Sequence, residues 1–241
     1  MNQNVLPPMY LQVKSFFIEK IENNVYKEQE KLPSERELSE KFQISRMTAR
    51  NAITELVNEG YAYRDGVRGT FVANKKVKRN FITLDGFSGY LKQSGVVDVK
   101  TKVLEFSYIE ADSWLSSKLN VPIGSGCYKL VRVRIGNDQP MAVEHTFING
   151  AFTEGLLKYD FSKESLYNIL DTKYSCMPKK SVNTLEMCYF NSYNANLLEV
   201  KKGTPGFITK GKGYDEFNNV IEYVEIYNRG DLFKFTYELR R

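Results

Sequence analysis

The chain has few of the residues that build zinc sites, disulfide frameworks and hydrolytic centres. Among its 241 residues are one histidine, His145, and three cysteines, Cys127, Cys176 and Cys188. An odd number of cysteines without a C-x-x-C pair argues against a disulfide framework and against a zinc site. Reduced thiols are typical of the cytoplasm. We therefore expect a cytoplasmic protein with no metal and no cofactor.

Sequence motifs of the common enzyme classes are missing as well. The chain has no H-E-x-x-H, P-loop, G-x-G-x-x-G or G-x-S-x-G pattern. A nucleophilic triad would have to use His145, which strand alternation places on the face opposite Glu144. No run of about 18 apolar residues occurs, and the first eight residues lack the pattern of a signal peptide. We expect neither an enzyme nor a membrane protein.

Positive charge is concentrated in the first third of the chain. Residues 1–80 hold 14 basic and 10 acidic residues, against 20 and 19 in the remainder, and the formal net charge is +5. A basic excess of this kind favours nucleic-acid binding if the charges share one face. Hydrophobic residues make up 42% and aromatic residues 13% of the chain, which is enough for a packed core with substantial β structure.

Residues 32–72 have the pattern of a winged helix-turn-helix, preceded by an amphipathic helix over residues 9–24. Ser34 and Glu37 form a capping box for a short helix. The chain turns at residues 43–44, and Ser45 caps a second helix whose inner face is apolar at helical spacing. Residues 65–66 predict a tight turn between strands at 61–63 and 70–72, which would form the wing.

The second helix and the wing expose basic residues. In a helix-turn-helix, side chains near the start of the second helix enter the major groove, where arginine pairs with guanine. Taken singly, each arginine is more often a solvated surface residue. Taken in order with the caps, turn and wing, they favour DNA binding by the following residues: Arg36, Ser45, Arg46, Thr48, Arg50, Arg68 and Gly69.

After the wing, residues 74–80 are polar and basic without periodicity, which predicts a linker. We therefore assign residues 1–73 to the DNA-binding domain and residues 81–241 to a second domain. The pattern of residues 81–241 predicts an α+β fold with a mainly antiparallel sheet. In this region the segment Val131-Arg132-Val133-Arg134-Ile135 alternates strictly, so both arginines point to one face.

Two guanidinium groups on one face suit a phosphate or a carboxylate. Glu144 would face the same space from the returning strand. Ser165 would cap a helix whose free N–H groups attract anions, and Tyr167 adds a hydroxyl. The alternation alone equally fits the solvated face of a half-buried sheet, on which glutamates merely pair with the arginines.

In order and spacing, the first 73 residues closely resemble the DNA-binding domain of the GntR family of bacterial transcription regulators. The rest resembles, more loosely, the UTRA effector-binding domain of the HutC-type branch of that family. Its markers are residues 129–135, 165–167, 196–198, 202–205 and 229–235. The resemblance implies a chorismate-lyase-like fold, a homodimer, a palindromic double-stranded operator and a small effector.

The resemblance also implies roles for single residues. In relatives that respond to phosphorylated amino sugars, the positions matching Arg132, Arg134, Ser165 and Tyr167 hold the phosphate. The positions matching Glu144 and Glu222 hold the sugar, and the loop around Phe87 lines the pocket. Asn228 is a departure, because similar sequences often have an aromatic residue there. The predicted effector-binding residues are Phe87, Arg132, Arg134, Glu144, Ser165, Tyr167, Glu222 and Asn228.

The function that follows is a repressor released from its operator by a small anionic metabolite such as a sugar phosphate. Two alternatives remain open at this point. One is a lyase-like enzyme domain carrying a DNA-binding appendage. The other is a constitutive DNA-binding protein without an effector.

Overall fold

The computed structural model describes residues 7–73, 77–80, 86–93, 96 and 98–236. The chain divides into two compact units, Met1–Lys75 and Lys76–Arg241. No helix within the described ranges is long and apolar enough to cross a membrane.

The first unit contains three helices and a two-stranded wing. Its elements are α1 (Met9–Glu22), α2 (Glu35–Phe42), α3 (Arg46–Asn58), β1 (Ala62–Asp65) and β2 (Gly69–Val72). The helices begin where local chemistry starts them, since Ser34 and Glu37 form the expected capping box and Ser45 caps α3. Phe17, Leu38 and Leu56 are fully buried in the core that the three helices share.

The wing differs in detail from the expected tight turn. β1 and β2 pair antiparallel from Ala62↔Val72 to Asp65↔Gly69, and Gly66–Arg68 form a single 3-10 turn between them. The turn is longer than two residues because Asp65 still pairs within the ladder. The backbone before α2 adds to the wing, since the Val72 N–H donates to the Glu30 carbonyl and the Leu32 N–H donates to Thr70.

The second unit is built on a six-stranded antiparallel sheet, as the sequence predicts. The strands lie in the order β4-β5-β6-β9-β8-β7. The elements of this unit are β3 (Val77–Asn80), α4 (Gly86–Gln93), β4 (Val99–Glu110), α5 (Ser113–Leu119), β5 (Gly126–Gly136), β6 (Gln139–Asn149), α6 (Leu166–Tyr174), β7 (Lys180–Tyr189), α7 (Ser192–Leu197), β8 (Pro205–Tyr214), β9 (Val220–Arg229) and β10 (Phe233–Thr236).

Two sequence predictions are corrected here. Val77–Asn80 were assigned to the linker but form β3, which pairs in parallel with β10 as a separate two-stranded sheet. The sequence of residues 234–240 predicts a last strand of the main sheet, whereas β10 covers Phe233–Thr236 and, among the described residues, pairs with β3. Residues 237–240 lie outside the described residues. Val77 and Phe233, the first pair of this ladder, are buried in one core cluster, and Phe235 packs against the same cluster.

Two apolar clusters cover one face of the main sheet and leave a seam between them. Phe87 and Leu91 of α4 pack with Ala142 of β6 and Ile226 of β9. Leu166, Ile169 and Leu170 of α6 pack with Leu130 of β5 and Ile148 of β6. Alternation places the predicted effector residues of β5, β6 and β9 on this same face, along the seam.

Candidate DNA-binding and effector-binding sites

The start of α3 presents two arginines to solvent. The Ser45 hydroxyl accepts a hydrogen bond from the Thr48 N–H at 3.0 Å and lies 2.8 Å from the Thr48 hydroxyl, which fixes the first turn. Arg46 and Arg50 are exposed, and neither forms an ion pair within the described part of the chain. Met47 beside them is 64% exposed, an apolar side chain that sequence reasoning did not single out. The helix start can therefore meet both polar and methyl edges of bases.

The other predicted arginines are held by neighbouring acids. Arg36 pairs with Glu40 at 3.0 Å on the surface of α2. Arg68 pairs with Asp65 at 2.8 Å, and its guanidinium lies 5.6 Å from the centre of the Phe71 ring. Exposed pairs of this kind are weak, so both arginines remain available to a phosphate.

The wing holds a lysine that sequence reasoning missed. Gly69 has φ of +118°, and a Cβ there would lie 2.9 Å from the Lys31 Cε. Lys31 reaches this position because its backbone forms an isolated antiparallel bridge with Phe71. Its ammonium therefore lies beside Gly69, adding a cation to the surface predicted to meet DNA. No local sequence pattern predicts that Lys31 lies beside Gly69, because the two residues are far apart in the sequence.

In the second unit, Arg132 and Arg134 converge on Glu144. Arg132 and Glu144 are directly opposite across β5 and β6. Their closest nitrogen and oxygen are 2.9 Å apart, and Arg134 approaches the same carboxylate at 3.8 Å. The whole residues are only 5%, 4% and 7% exposed, respectively. This burial is incompatible with the solvated sheet face that alternation alone allowed.

The arrangement has capacity for an anion. The Nε of Arg132 is buried and has no hydrogen-bond partner in the part of the chain that the structure describes. The Arg134 guanidinium lies over the Phe87 ring, 5.1 Å from its centre. Phe87 was expected in a loop and instead belongs to the first turn of α4. Buried arginine donors need acceptors, which a phosphate or carboxylate supplies.

A tyrosine and a second glutamate complete the cluster. The Tyr167 hydroxyl donates a hydrogen bond to the Glu222 carboxylate, linking α6 to β9. Burial, with a smaller contribution from the nearby Glu144, raises the pKa of Glu222 to about 7. Gly213 leaves room for this side chain, since a Cβ there would lie 2.9 Å from Glu222 Cγ. Gly86 packs against the Tyr167 ring, so α4 and α6 meet at the cluster.

Comparison with known proteins identifies the family of this chain. Residues 9–72 match the bacterial regulatory proteins of the gntR family, and residues 95–234 match the UTRA domain. The chain belongs to the GntR family. Its members are transcription regulators and not enzymes, so the lyase-like alternative is set aside. Regulators of this family bind DNA operators and small-molecule effectors.

Relatives and solved structures support this assignment along the whole chain. The HTH-type transcriptional repressor NagR of Bacillus subtilis is 32% identical over 97% of this chain and 96% of its own. The "probable fructoselysine utilization operon transcriptional repressor" of Escherichia coli O157:H7 is 25% identical over 97% and 95%. The crystal structure of PhnF from Mycobacterium smegmatis has a TM-score of 0.71 and 25% identity, covering 95% of this chain and 99% of that one.

Ser165 and Asn228, two residues that this GntR regulator was expected to use, form hydrogen bonds within their own elements and, for Asn228, to β8. Ser165 is the N-cap of α6 as predicted, but it is exposed, and its hydroxyl accepts from the Asn168 N–H at 3.5 Å. Asn228 shares the face of Glu222, as alternation predicts, and its amide donates to the carbonyls of Ile226 at 3.0 Å and Phe207 at 3.4 Å. Asn228 thereby ties β9 to β8.

The other face of the UTRA sheet holds the histidine. His145 lies on the face opposite Glu144, with its ring 5.9 Å from that of Tyr227. Burial lowers the pKa of His145. Among the described residues, no group of three or more histidine, cysteine or acidic side chains is arranged to hold a metal ion.

The Arg-Gly-Asp segment at residues 229–231, one of the markers of the resemblance, has a structural explanation. Arg229 forms a two-point pair with Asp231, with nitrogen–oxygen distances of 3.1 and 2.6 Å. The same guanidinium donates to the carbonyls of Pro140 at 3.3 Å and Leu198 at 3.4 Å. Arg229 therefore fastens the β5–β6 hairpin and the end of α7 to the end of β9, and it contributes to the scaffold of the site.

Proposed function

We propose that the protein is a cytoplasmic, homodimeric repressor that leaves a palindromic operator when a sugar phosphate binds its UTRA domain. DNA binding lies with Arg36, Ser45, Arg46, Thr48, Arg50, Arg68 and Gly69. Lys31 joins them on the wing. Two copies would read half-sites about 34 Å apart, or a multiple of that distance. Both named relatives are repressors, which supports the same direction of control.

A phosphate is the part of the effector that the geometry supports best. The observation that carries it is the pair of buried arginines beside one carboxylate, with no acceptor for the Arg132 Nε among the described residues. A phosphate offers several strong acceptor oxygens and matches the planar fork of arginine. Tyr167, Ser165 and the free N–H groups at the start of α6 would complete its coordination if the ligand draws Ser165 inward.

A sugar is supported by the carboxyl groups next to the arginines. Glu144 and Glu222 supply acceptors for hydroxyl groups, and the Tyr167 hydroxyl lies between α6 and Glu222. The Phe87 ring of α4 lies against the Arg134 guanidinium and gives the apolar surface that a sugar ring needs. The fructoselysine repressor, by its name, serves the use of a sugar derivative.

Release follows from linkage between the two sites. The effector shifts DNA affinity only if it binds the DNA-competent and DNA-incompetent arrangements with different affinity. A cytoplasmic location agrees with a DNA partner and with the three free cysteines. Release does not require turnover of the ligand.

The test selects genomic DNA fragments with the purified protein and sequences them, with and without each member of a sugar-phosphate panel. We expect a palindromic site that one panel member releases. The matched variant Arg132→Gln should bind the same palindrome and resist release. Recovery of a palindrome that no sugar phosphate affects would contradict the effector class, and failure to select any sequence would contradict the DNA-binding assignment.

A further inference from the structure

We propose that Thr146 is an additional effector-contacting residue, whose hydroxyl forms a hydrogen bond with a hydroxyl or amine of the bound sugar. The proposal rests on the proposed function and extends its sugar-binding part. Neither the sequence pattern nor the residue roles implied by the family resemblance point to this side chain. Thr146 is identified instead by its position in the cluster and by its buried hydroxyl, which has no hydrogen-bond partner among the described residues.

Thr146 lies on β6 between the two carboxylates of the cluster. Glu144 is two residues before it, so both side chains point to the same face of the sheet. Ile148 follows two residues later and is paired with Glu222 on β9. Thr146 itself is opposite Val224, so Glu222 is its diagonal neighbour on β9. In a twisted sheet such neighbours are within reach of one ligand.

The Thr146 hydroxyl is buried without a partner. The residue is 1% exposed, and within the described residues its Oγ1 has no hydrogen-bond partner. A buried hydroxyl that makes no hydrogen bond costs free energy, whereas valine fills the same volume without that cost. The presence of threonine at this position is explained if a ligand supplies the hydrogen-bond partner of its hydroxyl.

The surroundings favour a sugar over water as that partner. Thr146 lies on the seam between the cluster under α4 and the cluster under α6, since its cross-strand neighbours Leu130 and Val224 belong to different clusters. The Arg132 guanidinium forms an ion pair with the Glu144 carboxylate at 2.9 Å on one side, and the Tyr167 hydroxyl donates a hydrogen bond to Glu222 on the other. The neutral hydroxyl between them can donate or accept, as sugar hydroxyls require.

Thr209 on β8 provides a matched control. It is 2% exposed, and its Oγ1 also has no partner in the described ranges. It shares the sheet face but is paired with Ile226, which in turn is paired with Glu144. Two strand spacings, about 10 Å, therefore separate Thr209 from Glu144. The same substitution at both positions changes the same chemistry at different distances from the carboxylates.

The experiment measures binding to the full-length protein by titration calorimetry, together with thermal unfolding of the ligand-free protein. The probes are glucose 6-phosphate, glucosamine 6-phosphate, N-acetylglucosamine 6-phosphate, the monodeoxy glucose 6-phosphates and inorganic phosphate. The variants are Thr146→Val, Thr146→Ser and Thr209→Val. For the sugar phosphate that binds best, we expect Thr146→Val to weaken affinity about 3- to 10-fold, with inorganic phosphate unaffected.

Thr146→Ser should retain most of the affinity, and Thr209→Val should bind as the unaltered protein does. One monodeoxy glucose 6-phosphate should bind the unaltered protein more weakly than glucose 6-phosphate does. Thr146→Val should weaken the binding of that compound little further, which identifies the sugar hydroxyl that Thr146 contacts. Ligand-free Thr146→Val should unfold at the same or a higher temperature. A role confined to the fold predicts lower stability and unchanged affinity, and that result would overturn the inference alone. If the unaltered protein binds no sugar phosphate, the proposed effector class fails and this inference fails with it.

Discussion

Arg132 and Glu144 face each other across β5 and β6 with 2.9 Å between their closest nitrogen and oxygen, and their side chains are 6% and 9% exposed. Desolvation offsets much of the attraction within such a buried pair, so its net contribution to stability is small. Removing only one partner is costly, because the other charge stays buried without compensation. Stability and effector binding can therefore be separated at this pair.

Replacing Arg132 alone should destabilise the protein. Arg132→Met leaves the Glu144 carboxylate buried, with the Arg134 guanidinium 3.8 Å away. We expect a loss of about 3 kcal/mol in the free energy of unfolding, at the lower end for a broken buried pair. Urea denaturation of the full chain measures it. The double variant Arg132→Met with Glu144→Met should recover most of that stability and still fail to respond to the effector. A single variant as stable as the unaltered protein would contradict the buried pairing.

Glu222 should make stability depend on pH in a direction opposite to most carboxyl groups. Its ordinary pKa is 4.5, and burial raises the folded-state value to about 7. Between these values the folded protein holds a proton that the unfolded chain has lost, so stability falls as pH rises from about 4.5 to 7. The contribution present below pH 4.5 and lost above pH 7 is about 3 kcal/mol by linkage.

Glu222→Gln isolates this effect. The amide keeps the size of the side chain and cannot ionise, so the variant should gain stability relative to the unaltered protein as pH increases through this window. Urea denaturation at a series of pH values gives the difference curve. A flat difference would show that Glu222 titrates near its ordinary value. Glu225, a glutamate of β9 on the opposite sheet face, provides Glu225→Gln as the control.

Much of the first unit could be predicted because its signals are local. Ser34 and Glu37 are three residues apart and cap the same turn, and Ser45 caps the helix that follows it directly. Strand alternation likewise predicted the shared face of Arg132 and Arg134. Such contacts are encoded within a few residues of sequence, so reading them requires no knowledge of the tertiary fold.

The parts that were missed depend on residues distant in the chain. Lys31 lies beside Gly69 because its backbone is bridged to Phe71. The pairing of β3 with β10 is accompanied by burial of Val77 and Phe233. The register of such long-range pairings cannot be predicted from a single sequence. Thr146 was missed for a related reason, since threonine is ordinary in a strand and only the burial of its unpartnered hydroxyl distinguishes it.

Arg46 should contribute to specific operator binding. It is exposed in the first turn of α3, and no acidic side chain among the described residues forms an ion pair with it that DNA would have to displace. Arg46→Ala should cost about 1–3 kcal/mol in binding to the selected operator and less on unrelated DNA. Fluorescence anisotropy at fixed salt measures both. Lys158→Ala removes an exposed cation of the effector unit and should leave operator affinity unchanged; equal losses in the two variants would reduce the role of Arg46 to net charge.

Gly69 should be required by its backbone conformation more than by the space around it. Its φ of +118° and ψ of −156° fall where residues with a side chain are strained, at a cost of about 1–3 kcal/mol. A Cβ at Gly69 would also meet the Lys31 Cε at 2.9 Å, but that atom belongs to a flexible side chain that can move. Gly69→Ala should therefore lower thermal stability of the first unit and weaken operator binding, because the wing must rearrange.

The Lys31→Ala background separates the two causes. If backbone strain dominates, Gly69→Ala should cost nearly the same stability with or without the lysine side chain, since the strain is independent of it. If the contact dominates, the cost should vanish once Lys31 is truncated, and the wing would tolerate a side chain at this turn. Operator affinity adds a second criterion. Lys31→Ala alone should weaken binding and reduce its salt dependence, as expected for loss of one phosphate contact, while leaving the unfolding temperature nearly unchanged.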